Sequence, residues 1–150
     1  MTRAAAVHWE LGSSKMPACE FSLQYAEFDH DQVDERGAAT ANEILSAFDA
    51  FDWRQQVETA NRLQKCSPTF SVRDRDSDRL LWVSGTGDSQ GIMFINAYSY
   101  QGEVQRFLGL SRGRGPVVAP THELSLQEAR RAVELFVRGE HEALLKHLAC

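Results

Sequence analysis

Thr69-Phe70-Ser71-Val72, Leu80-Leu81-Trp82-Val83 and Ile92-Met93-Phe94-Ile95-Asn96-Ala97-Tyr98 are three strand-like runs set apart by short polar segments. The first separator, Arg73-Asp74-Arg75-Asp76-Ser77-Asp78-Arg79, has nothing to offer a core. The second, Gly85-Thr86-Gly87-Asp88-Ser89-Gln90-Gly91, is made of turn residues. Consecutive strands joined in this way predict an antiparallel meander. The third run is too apolar to face water on both sides. Residues 101–116 continue more irregularly, with Val104, Phe107 and Leu108 as another strand or a turn.

Upstream, Cys19, Phe21, Leu23 and Tyr25 alternate with Glu20, Ser22 and Gln24, the period of a half-buried strand. The stretch from Glu27 to Gly37 reads as an acidic loop. Thr40-Ala41-Asn42-Glu43 is a capping box, and Ile44, Leu45, Phe48 and Phe51 follow at helical spacing, predicting a helix over about 41–51. Asp52 can cap a second helix with Trp53, Val57, Ala60 and Leu63 on one stripe, ending near Cys66-Ser67-Pro68. Downstream, Ser125-Leu126-Gln127-Glu128 is a second capping box. Its helix carries Leu126, Ala129, Val133, Phe136 and Val137 on one face and stops at Gly139. Residues 140–148 read as a short last helix with Leu144, Leu145 and Leu148 facing inward. Strand, helices, meander and helices in that order predict a single segregated α+β domain over residues 1–150.

A chain of 150 residues can bury about 68–70% of its unfolded surface, so it needs no metal or disulfide staple. Cys19, Cys66 and Cys150 are odd in number and widely spaced, as in a reducing cytoplasm. No apolar run approaches the roughly 20 residues of a membrane span. The apolar start at Ala4-Ala5-Ala6-Val7 is cut off by His8 and Glu10, so a secretory leader is not expected. The net charge of −5 is uneven: residues 1–65 hold six Lys/Arg against eleven Asp/Glu, and residues 66–150 hold ten of each. Glu27, Asp29, Asp31, Asp34 and Glu35 fall within nine residues. Such a field argues against nucleic acid as a partner and favours a basic protein, unless it is only a solvated loop.

Each catalytic pattern lacks a required part. The glycines of 85–91 follow a strand, but a further strand comes next, so no helix N-terminus waits for a phosphate. His141-Glu142 has Leu145 where a zinc-protease helix needs its second His, and His147 falls nearly opposite His141. Asp74, Asp76 and Asp78 begin like a calcium loop, yet Arg79 and Gly85 occupy its glycine and glutamate places. No GxSxG elbow occurs, and no Cys has a sequence-local activating partner. No catalytic residue, metal or cofactor is expected. Arg112 and Arg114 read as an exposed basic loop.

Taken together, the capped helix at Thr40, the Pro68 to Val72 strand, Leu80 to Val83, the longer strand from Ile92 and the Ser125 to Gly139 helix resemble small bacterial immunity proteins. These are antidotes to polymorphic toxins, among them nucleic-acid deaminases and nucleases. The resemblance covers residues 40–148; residues 1–39, an N-terminal strand and acidic loop, have no counterpart in it. It implies a non-enzymatic protein that occludes the active site of a cognate toxin. The implied polar contacts are Asp29, Asp31, Asp34, Glu35, Asp74, Asp76, Asp78 and Asp88, with Tyr98 and Tyr100 as aromatic anchors or, equally, as strand residues at the core edge. A secretion chaperone or adaptor is the alternative expectation, and a small enzyme or ligand-binding domain the third.

Overall fold

The computed structural model describes residues 18–88, 90–106 and 111–149. Among them, seven strands and four helices form an α+β domain: β1 Cys19–Gln24, β2 Asp34–Ala38, α1 Ala41–Ala50, α2 Trp53–Leu63, β3 Thr69–Asp74, β4 Arg79–Asp88, β5 Gly91–Arg106, β6 Ser111–Val118, β7 Glu123–Leu124, α3 Leu126–Val137 and α4 His141–Ala149. The sheet is antiparallel throughout, in the order β2-β1-β3-β4-β5-β6, and β7 adds to β5 beyond β6. The meander is the centre of this sheet. β1 completes it on one side by pairing Gln24 with Thr69 and Cys19 with Asp74.

Alternation puts Phe21, Leu23, Phe70, Val72, Leu81, Val83, Phe94 and Tyr98 on one face, all buried. The helices cover that face. Phe48 of α1 meets Phe70 and Trp53 at centroid distances of 5.3 Å each, and Trp53 meets Phe94 edge-on at 4.8 Å. Trp53 lies so close to β4 that a Cβ added at Gly85 would stand 3.1 Å from its ring. Both capping boxes form as the sequence predicts: Thr40 Oγ1 accepts from Glu43 N, Ser125 Oγ accepts from Glu128 N, and each glutamate reaches back at 2.8 Å. Gly139, at φ +76°, closes α3 with amide bonds from Gly139 to Phe136 and from Glu140 to Leu135.

Four expectations are corrected. The Glu27 to Gly37 stretch is not all loop, because Asp34–Ala38 pairs with β1 as an edge strand. Its charged side chains suit an edge, where they discourage further pairing. Arg112 and Arg114 lie not in a loop but in β6, the opposite edge, paired with Gln105 and Glu103. Two glycines and Pro116 hid that strand, and an edge tolerates proline because one side of it needs no donor. Leu63 and Leu126, assigned to inward stripes, are exposed; each is the terminal residue of its helix. The expectations for residues 1–17 and Cys150 lie outside the described residues.

Asn96 is fully buried between Phe94 and Tyr98, opposite Val83, and neither end of its amide has a hydrogen-bond partner. A buried polar group without a partner costs about 1–3 kcal/mol. Asn96→Val removes that cost with a side chain suited to a strand. The variant is expected to raise the urea midpoint at unchanged m-value, a gain of about 1–2 kcal/mol.

Candidate functional site

The residues singled out from the sequence divide between the two ends of the sheet. β1 and β3 run antiparallel, so the β1–β2 turn lies at the Thr69 end and the β3–β4 turn at the Asp74 end. Asp29, Asp31 and Asp88 belong to the first end; Asp74, Asp76, Asp78, Tyr98 and Tyr100 belong to the second. They do not form one surface.

At the first end the acidic turn is held in place by polar bonds. Gln24 Nε2 donates to the carbonyls of His30 and Gln32, and Gln56 Oε1 accepts from Ala26 N at 2.7 Å. Lys65 reaches across from the end of α2 to Asp29 at 3.1 Å and to the Glu27 carbonyl. Asp34 is bonded to Arg36 at 2.8 Å. Glu27, Asp31 and Glu35 are exposed, so they carry the outward field of this region. Asp88 accepts from the Gln90 amide and closes the next turn.

At the second end the carboxylates serve the turn itself. Asp74 Oδ1 accepts from the amides of Asp76 and Ser77, and its Oδ2 accepts from Arg79 at 3.0 Å. Arg73 bonds Asp78 at 3.1 Å. Arg79 also donates to the Tyr98 hydroxyl, which lies 2.6 Å from His141 Nδ1, and its guanidinium stands over the Phe136 ring. Burial pushes the Tyr98 hydroxyl up, against the pull of Arg79. Tyr98 is buried and cannot serve as an aromatic anchor; the core had the stronger claim on it. Tyr100 is half-buried, stacked on Tyr98 and edge-on to His141 at 4.9 Å. No local sequence signal announces the Asp74–Arg79–Tyr98–His141 chain, which joins three strands and a helix.

A chemical site would need a free nucleophile, a metal cage or a pocket with convergent polar groups. Burial, and then Asp74, push the Cys19 thiol up to about 11, so it is a poor nucleophile at neutral pH. Among the described residues no group of three His, Cys, Asp or Glu could hold a metal ion. His141 and His147 go to different partners, the latter bonded to the Glu128 carbonyl. A groove of about 600 Å³ has Phe51, Trp53, Ile92 and Leu126 among its lining; of its charged residues, Asp49 and Arg130 are bonded to each other at 2.7 and 2.9 Å, Asp52 caps α2 through the Gln55 amide, and Arg54 stands beside them. No described helix is long and apolar enough to cross a membrane. The chain matches no protein-family model, no curated protein and no solved structure at a significant level.

Asp74 provides a pH signature for the second end. Burial opposes its ionisation, but the bonds from Arg79, Asp76 and Ser77 outweigh that and hold its pKa below the usual 3.8. A depressed carboxylate stabilises the fold above its unfolded pKa, and the gain is lost as pH falls through the folded value. Stability of the wild type should therefore fall on acidification below about pH 4. Asp74→Asn is expected to be less stable at pH 7 and to show a shallower acid limb in denaturant titrations between pH 5 and 2. An unchanged limb contradicts the assignment.

Proposed function

We propose that this protein is an immunity protein, which binds a cognate toxin with a basic surface and blocks it by covering the active site. The observation that carries the reading is the acidic edge of the sheet, where Glu27, Asp31 and Glu35 stand exposed on a turn and strand pinned by Gln24, Gln56 and Lys65. An acidic surface on a turn whose backbone is held steers a basic partner at reduced entropic cost, because the turn itself need not be ordered on binding. Enzymes that act on nucleic acid present basic clefts, which makes such a toxin the natural partner. The resemblance of residues 40–148 to immunity proteins supports the same reading. In it the chain performs no chemistry and works in the cytoplasm of the cell it protects.

The test is co-expression with the product of the neighbouring gene. The expected results are a stable complex and loss of the toxin's activity. Glu27→Lys with Asp31→Lys is expected to slow association about tenfold at 20 mM salt, with the gap closing towards 500 mM as charge is screened. Failure of the neighbouring product to bind or be inhibited overturns the reading.

A further inference from the structure

Helices cover one face of the sheet; the register defines what stands on the other. Glu35, Ser22, Ser71, Trp82 and Ala97 form one row from β2 to β5. Glu20, Arg73, Leu80, Ser99 and Val118 form the next, from β1 to β6. Thr69, Ser84, Ile95 and Glu123 form a third. A sheet face left to water is ordinarily polar. Here Leu80 is 36% exposed, Met93 37%, Ile95 42% and Val118 61%, with the half-buried Trp82 among them. Small hydroxyls fill the gaps, and charges stand at the margin. An apolar centre depleted of charge, one tryptophan and a charged rim are the anatomy of a protein interface.

The rim identifies the partner. Glu20 and Glu35 flank the patch on one side and Glu123 on the other. By register the same face also carries Arg73, bonded to Asp78, beside Glu20, and, at the far edge on β6, Arg112 and Arg114, the latter donating to the Gln101 carbonyl, so the acidic side of the rim is the β1–β2 side. Between Glu20, Glu35, Arg73 and Leu80 lies a depression of about 150 Å³, floored by Ser22 and Ser71, with room for one cationic side chain. A second copy of this chain would bring the same carboxylates to the rim.

We infer that the uncovered sheet face docks a basic protein, whose apolar patch packs on Trp82 and Ile95 while a Lys or Arg enters the Glu20–Glu35 depression. This rests on the toxin-binding reading and assigns its contact surface to the open sheet face, with the acidic turn reduced to steering. Burying Trp82 and its neighbours slows dissociation, whereas the turn mainly sets the rate of encounter.

The experiment measures binding of the neighbouring gene's product by surface plasmon resonance, which gives association and dissociation rates, and sedimentation of this protein alone up to 100 μM. Ile95→Lys with Val118→Lys changes two exposed positions and should keep the fold, checked by circular dichroism; Trp82→Ala is the second variant. The expected result is at least a 100-fold loss of affinity for both, carried by faster dissociation, with Glu27→Lys/Asp31→Lys losing far less. Binding within threefold of wild type by the Ile95/Val118 variant overturns the docking face and leaves the toxin-binding reading standing. If the neighbouring product does not bind the wild type, both fall. Self-association abolished by the Ile95/Val118 variant overturns the inference in favour of a second copy.

Discussion

Among the described residues, the six-strand antiparallel path buries one face under helices and leaves the other without helical cover, and the rest of the structure follows from that asymmetry. On the covered side, Phe21, Phe70, Leu81, Val83 and Phe94 form an apolar floor, and Phe48, Trp53, Val133 and Phe136 come down on it from three helices. Each such side chain contributes roughly 1.5–3 kcal/mol by leaving water. That burial fixes the register, because a slip of one residue would turn every one of them outward. The same register then dictates what the uncovered face must show. Trp82 stands outward because Leu81 and Val83 stand inward.

This explains why the two faces were unequally legible. Short apolar runs with turn residues between them revealed the meander, and two capping boxes revealed the helix starts, since these signals are local. Leu80-Leu81-Trp82-Val83 and Ile92 to Tyr98 carry apolar residues at both parities, so the sequence marked them as buried strands without saying what covers each side. The helices supply cover on one side alone. Excess apolar character on Trp82, Met93 and Ile95 therefore becomes legible as a surface feature once the packing is known.

The candidate site was legible in charge and not in geometry. Clustered acids between Glu27 and Glu35 do lie exposed at one edge. Asp74, Asp76 and Asp78 alternate with arginines, which already marks them as largely self-neutralised, and Asp74 is indeed absorbed by its own turn and by Arg79, and Asp78 by Arg73. Tyr98, which the sequence left between an anchor and a strand residue at the core edge, is a core residue whose hydroxyl is held by Arg79 and His141. Those bonds link positions 19 and 43 residues apart from Tyr98, and no spacing rule announces them. Edge strands were hidden for a related reason: β2 is too charged and β6 too rich in glycine to resemble strands by composition.

The central claim, that the protein acts by binding through the face its helices leave bare, is tested most directly by hydroxyl-radical footprinting of the complex with the neighbouring gene's product. Oxidation of Trp82, Met93 and Ile95 is predicted to fall several-fold on binding, while Leu126 and Leu63, exposed at helix ends on the covered side, stay as reactive as in the free protein. Unchanged oxidation of Trp82 and Met93, with protection at Leu126 instead, would contradict the account.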